Sequence, residues 1–382
     1  MREIITACDG YKLSHHRMYP EGTQMVYSNW TPRSCRYFPE ATEGSVVFGI
    51  QYFVKKYLIE EFNKWFALPK EEAIKQFAYR VGNFVDLNQV GTKHIEELYD
   101  LGYLPIEIKA LPEGSICPIR VPMMTIQNTL PDFFWLTNYL ETLISCTLWL
   151  PCTSATSARL YKKRLMEHAR KTGFPEEVNL GFACHDFSMR GMAGLDAAII
   201  SGMAHMTSFC GSETIPAIEA VEHYYNADVT KELVAATVPA TEHSVMCAGG
   251  EEDEIETYRR LINELYPTGI ISIVSDTWDF WQVVEKFLPK LKADIMKRDG
   301  RVVIRPDSGD PVDIICGLRT NPHYHTAMKE GKYYCDFNPF MDDDESHYVE
   351  VSEGQYYGAY YMLGKIFGWN TTVNDYRYPS TK

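Results

Sequence analysis

Several short apolar runs in the second half of the chain end in groups that bind charge or move protons. The most pronounced is at residues 302–311, which read V-V-I-R-P-D-S-G-D-P. Its β-branched start reads as a buried strand. Pro306 cannot donate to a ladder and Gly309 marks a turn, so the strand stops there. Arg305 and Asp307 then stand at its C-terminal tip, the edge where parallel α/β proteins hold ligands. Taken alone, an Arg–Asp pair that merely closes a strand end reads equally well. The same ending recurs, however: His185, Asp186 and Arg190 follow one run, Glu213 the next, then His243, then Asp276. Each group singly reads as a cap or an ion pair. Converging on one rim, they make a site with carboxylates, cations and an imidazole.

The elements that must position these groups follow a rhythm. Short strands are expected near 181–184, 206–209, 236–240, 270–274 and 302–304. Helices are expected at 195–202, 215–225, 251–265 and 278–297 between them. Strand followed by helix at this spacing is the repeated β/α unit. The first part of the chain differs, with helices at 51–66 and across 70–101 and alternating strands at 104–110 and 121–126. Pro151 follows a buried helical stretch and marks the expected domain junction. The expected fold class is therefore α/β: an N-terminal α+β domain (1–150) followed by an incomplete (β/α) barrel-like domain (151–382), with too few units to close a barrel. An acidic, Tyr-rich stretch near 319–353 interrupts the pattern and reads as a solvated insertion; its acidic run, 342–345, lacks EF-hand spacing.

Composition narrows the function classes. The chain has 382 residues, 51 acidic and 37 basic, for a net charge of −14. So acidic a chain is no general nucleic-acid binder, although local cations or a metal can still hold a small polyanion. The 10 cysteines form no C-x-x-C pair, which argues against a zinc knuckle and suits a reducing cytosol. No signal-peptide pattern opens the chain and no apolar run is long enough to span a bilayer, so a cytoplasmic protein is expected.

The chain carries D-G-Y-K-L-S-H at 9–15, Y-P at 19–20, L-P-I-E-I-K-A at 104–110, W-L-T-N at 135–138, H-D-F-S-M-R-G at 185–191, E-H-S at 242–244, S-D at 275–276 and I-R-P-D-S-G-D-P at 304–311. This ordered set of motifs resembles the nicotinamide phosphoribosyltransferase family. Neither a dinucleotide fingerprint nor a Walker loop is present. The resemblance implies a homodimer with shared active sites that joins nicotinamide to 5-phosphoribosyl 1-pyrophosphate (PRPP), releasing nicotinamide mononucleotide and pyrophosphate in NAD salvage. By the same resemblance, Phe187 of one subunit and Tyr11 of the other sandwich the pyridine ring, and Asp9 lies in that substrate-binding segment. Arg190 lies beside the ring and its amide, and Glu213 stands where the family has an aspartate reading the amide. A carboxylate there accepts from an amide and repels nicotinate. Asp276 and Asp307 match the acidic pair near the ribose and pyrophosphate, with Mg²⁺ reached through pyrophosphate and water, not as a direct protein ligand. Arg305 and Arg33 match phosphate contacts, the latter across the dimer. Thr237 and Ser272 match small polar positions near the substrate. His243 matches a histidine that ATP phosphorylates, coupling hydrolysis to synthesis.

The family continues beyond the last residue here with further strands and phosphate sites, so the chain reads as C-terminally truncated. Two alternatives stay open. One is nicotinate phosphoribosyltransferase, which shares the chemistry but wants a cation where Glu213 stands. The other is a truncated, non-catalytic dimeric binder of nicotinamide or nucleotide.

Overall fold

The computed structural model describes residues 3–173, 180–316, 333–336 and 348–351. The chain divides into two compact units, Met1–Ala236 and Thr237–Lys382.

In the first unit the strands are β1 (Tyr27–Trp30), β2 (Ser45–Val46), β3 (Ile106–Ala110), β4 (Ile116–Cys117) and β5 (Met124–Asn128). β5 is central in a three-stranded antiparallel sheet, paired Tyr27↔Gln127 with β1 and Ile106↔Asn128 with β3. Its sequence alternates, and Met124, Ile126 and Asn128 are the buried face. Buried Asn128 is satisfied: its Oδ1 accepts from Val26 N–H, and its Nδ2 donates to the carbonyls of Gln24 and Leu130. The helix expected at 51–66 runs as Ile50–Phe53, a π-helical Val54–Glu61 and Phe62–Phe66, and buries Phe53, Leu58, Phe62 and Trp65.

A long helix, Glu141–Thr172, passes through Pro151 without ending and stops at Gly173 in the left-handed conformation. Proline usually breaks a helix interior. Here Gly49, at φ +92°, leaves room for the Pro151 ring, which a Cβ on Gly49 would meet at 2.5 Å. The junction expected near residue 150 therefore lies inside a continuous helix. Leu150 and Ala155 of that helix share a core with Val46, Phe48 and Tyr52, and with Ile200, Met203, Ala217 and Val221 from the helices Leu195–His205 and Ile215–Tyr225. That shared core keeps 151–236 with the first unit. The unit also contains β6 (His185–Asp186) and β7 (Gly211–Ser212), which pair in parallel.

The second unit is built on β8 (Thr268–Val274) and β9 (Asp299–Arg305), parallel in register from Thr268↔Asp299 to Val274↔Arg305. The helical stretch between them includes Val283–Phe287 and Leu288–Met296 and packs Val283, Phe287 and Leu291 against Ile271 and Ile273. Parallel neighbours joined by a helix are the β/α unit expected from the sequence, and the fold class is α/β. Within the stretch read as a solvated insertion, β10 (Tyr333–Asp336) and β11 (Tyr348–Val351) form an antiparallel pair. The acidic run 342–345 lies outside the described residues.

Candidate active site

The candidate residues fall into two groups, one in each unit. In the second unit, the tips of β8 and β9 meet the start of the helix His243–Gly249. Ser275 N–H donates to Arg305 O at 2.9 Å, extending the strand pairing to the tip. Fully buried Tyr258 backs this corner: its hydroxyl donates to Ser275 Oγ, which donates to Ile273 O.

Beyond the tip, Asp276 Oδ2 accepts from Asp307 N–H at 2.8 Å and from Ser308 Oγ at 2.6 Å. Burial pushes this carboxyl up. The hydrogen bonds from Ser308 and from the Asp307 backbone outweigh burial and hold it below the ordinary aspartate range. Its other oxygen, Oδ1, is buried with no hydrogen-bond partner, and it lies 4.0 Å from His243 Nε2. Asp307 is exposed, with Oδ2 3.4 Å from the same nitrogen. On its other side, His243 Nδ1 lies 3.2 Å from Thr277 Oγ1. The imidazole thus has two carboxylates at Nε2 and a hydroxyl at Nδ1. Carboxylates accept, so this setting favours the proton on Nε2 and the lone pair on Nδ1, where Thr277 can donate.

Arg305 is half-buried, donating from Nη2 to Thr241 O at 2.7 Å, while its Nε is buried without a partner. Thr241 ties the strands further, its Oγ1 accepting from Val274 N–H at 2.9 Å. Ser272 is buried within β8, its backbone bonded to Pro239 and Thr241. Thr237 stands at the start of the unit.

Among the described residues no group of three or more His, Cys, Asp or Glu could hold a metal ion. The orphaned Oδ1 of Asp276 and the exposed carboxylate of Asp307 are hard oxygen donors. They fit a magnesium ion that keeps most of its water, not a closed protein cage.

In the first unit, β6 ends in the turn 187–191 and β7 leads into Glu213. Asp186 is buried and fully engaged: Oδ1 accepts from Ser188 N–H and Ser188 Oγ, and Oδ2 from Ser212 Oγ. It builds the turn. That turn leaves Phe187 53% exposed and Arg190 exposed, so both side chains are accessible to a ligand. Glu213 is anchored by its N–H to Asp186 O at 2.9 Å, and its Oε1 lies 3.4 Å from His185 Nδ1.

Asp9 occupies the N-cap position of the 3₁₀ helix Gly10–Arg17, but its side chain makes no cap hydrogen bond. Its N–H donates to Thr142 Oγ1 at the start of the long helix, and buried Lys12 pairs with Glu141 beside it. Tyr11 is 63% exposed on this short helix. Asp9 lines a cavity of about 760 Å³ with Cys8, Trp30, Tyr57 and Trp149. Arg33 lines a second cavity of about 480 Å³ with Trp30, Tyr37, Phe38 and Met123. Thr241, Thr277 and Ser308 join the site although the sequence alone does not mark them, and His185, marked there only as a strand-tip group, gains a carboxylate partner. Ser308 sits in the turn motif at 304–311 and could have been found there. The contacts of the others depend on strand register, which a sequence does not print.

A family model described as the nicotinamide phosphoribosyltransferase N-terminal domain matches residues 3–108, and one described as the nicotinate phosphoribosyltransferase (NAPRTase) family matches residues 182–340. A nicotinamide phosphoribosyltransferase of Acinetobacter baylyi is 45% identical over 98% of this chain and 70% of its own length. Another, of Mycoplasma pneumoniae, is 34% identical over 85% of this chain and 70% of its own length. Among solved structures, that of human nicotinic acid phosphoribosyltransferase superposes with a TM-score of 0.51 at 17% identity, covering 80% of this chain and 62% of that one. At that identity the likeness is one of fold.

Proposed function

Because the chain belongs to the nicotinamide phosphoribosyltransferase family, we propose that it transfers the phosphoribosyl group of PRPP to nicotinamide, giving nicotinamide mononucleotide and pyrophosphate. This is a pentosyl transfer serving NAD salvage. The observation that carries the reading is the His243–Asp276–Asp307 cluster at the tips of two parallel strands. The pyridine nitrogen attacks C1 of the ribose, and the bond from C1 to the pyrophosphate oxygen breaks with its electron pair leaving on pyrophosphate. The transition state is oxocarbenium-like, and the carboxylates of Asp276 and Asp307 stabilise the developing cation. Magnesium, when bound, neutralises the pyrophosphate leaving group. Arg305 and Arg33 contact phosphate, Arg33 from the partner of a homodimer, with Thr237 and Ser272 as small polar neighbours of the substrate. Phe187 and Tyr11, one from each subunit, stack on the pyridine, whose cationic product is favoured by their faces. Arg190 and Glu213 meet the amide, and Asp9 belongs to the segment that carries Tyr11.

ATP acts on His243. With the proton on Nε2 facing Asp307 and Asp276, the lone pair of Nδ1 attacks the γ-phosphorus and ADP leaves. The test supplies PRPP, Mg²⁺ and γ-labelled ATP with nicotinamide or nicotinate in parallel, and detects mononucleotide by mass and label on the protein. Mononucleotide from nicotinamide, and label lost in His243→Asn, are expected. Mononucleotide from nicotinate alone would overturn the substrate assignment. Label retained in the variant would overturn the role of His243.

A further inference from the structure

We propose that His185 is a positioning residue that sets the amide selectivity of Glu213; this rests on the reading that Glu213 meets the substrate amide. His185 Nδ1 lies 3.4 Å from Glu213 Oε1, and the side chains are 30% and 36% exposed, so the pair stands where a ligand can reach it.

The ring is held by shape. β6 and β7 pair His185 with Gly211. A Cβ on Gly211 would lie 2.5 Å from Cδ2 and 2.7 Å from Nε2 of His185, so only glycine lets the imidazole lie across that backbone. The Cδ2–Nε2 edge is seated on Gly211, and the opposite edge presents Nδ1 to Glu213. The β7 backbone is itself fixed, because His205 Nε2 lies 3.0 Å from Gly211 O. Glu213 N–H is tied to Asp186 O, one residue from His185. Asp186, on the opposite face of β6, is already engaged by Ser188 and Ser212, so it does not compete for the imidazole.

A Glu side chain has one more rotatable bond than Asp, and so more orientations to give up when it is ordered. His185 Nδ1, 3.4 Å from Oε1, narrows them before substrate arrives and helps hold the carboxylate as a preorganised acceptor for an amide N–H. The same fixed negative charge faces, and repels, the carboxylate of nicotinate.

The test compares kcat and KM for both pyridines in wild type and variants. His185→Phe keeps a ring over Gly211 and removes Nδ1. His185→Asn keeps an amide nitrogen near the Nδ1 position. The expected result is an about tenfold rise in KM for nicotinamide in His185→Phe, with kcat changed less, and an about tenfold fall in the nicotinamide-over-nicotinate ratio. His185→Asn recovers most of both, and His185→Phe combined with Glu213→Gln is no worse than Glu213→Gln alone. A ratio unchanged in His185→Phe, an Asn variant as impaired as the Phe variant, or fully additive losses would each overturn the proposal. Should His185→Phe fail to fold, His185→Gln takes its place, since its amide reaches the Nε2 position, and the same loss is expected. Failure of the underlying reading looks different: wild type itself would then prefer nicotinate.

Discussion

Asp276 is a buried carboxylate kept ionised by donors instead of by a cation. The Ser308 hydroxyl and the Asp307 N–H offset its burial. A reaction that needs this carboxylate runs above its pKa and fails below it. Removing a donor lets burial raise the pKa, so Ser308→Ala should move the acid limb of the pH–rate profile upward; an unmoved limb would exclude Asp276 as the titrating group. Asp276→Asn removes the charge itself and should lower kcat by about 10²-fold or more. These residues were legible because charged groups after β-branched runs stand out in sequence. The pairings of His185 with Glu213 and of Thr277 with His243 were not legible, because they join residues far apart in the chain through strand register.

At the scale of elements, the short helix Gly10–Arg17, which carries Tyr11, is docked on the start of the long helix by an unequal pair. Lys12 is 3% exposed and Glu141 57%. Neutralising the exposed partner leaves a buried ammonium without its counter-charge, whereas Lys12→Met removes the buried charge altogether. Glu141→Gln should therefore destabilise by about 1–2 kcal/mol and Lys12→Met by less, judged from denaturant midpoints. The reverse order would mean that the pair is not what docks this helix. Helices such as Ile215–Tyr225 and the strand β8 followed from hydrophobic periodicity and β-branched content. The long helix did not, since Pro151 signals a stop. What overrides that signal is the space above Gly49, a contact about a hundred positions away in the chain.

For the whole molecule, the division at Ala236 was illegible for the same reason: it is set by a core that gathers residues 46–52, 150–155 and 200–221. The two units also carry buried groups of opposite pH response. In the first, burial pushes His94 down to about 3, and neither ring nitrogen has a partner; it stacks on His16. The unfolded chain takes up this proton near its ordinary value while the folded chain does not, so stability is lost as pH falls from about 6.5 toward 3. In the second unit burial, with Glu251 and Asp279 nearby, pushes Glu254 up to about 7. Here the folded chain holds the proton longer, so stability is lost as pH rises from about 4.5 to 7. His94→Leu should flatten the acid-side loss of the first unit, and Glu254→Gln should raise the melting temperature of the second above pH 7 by an effect on the order of 1 kcal/mol. Melting curves followed across pH 4–8 check both; a Glu254→Gln variant no more stable than wild type at pH 8 would contradict the second.

The central claim, phosphoribosyl transfer to a pyridine chosen by its amide, is tested most directly by a one-pot competition. The protein, PRPP, Mg²⁺ and ATP are mixed with equal concentrations of nicotinamide and nicotinate, and the two mononucleotides are counted by mass. Nicotinamide mononucleotide should exceed nicotinate mononucleotide by about a hundredfold or more, since a carboxylate facing the substituent rewards an amide and repels an acid. Equal amounts, or an excess of nicotinate mononucleotide, would contradict it.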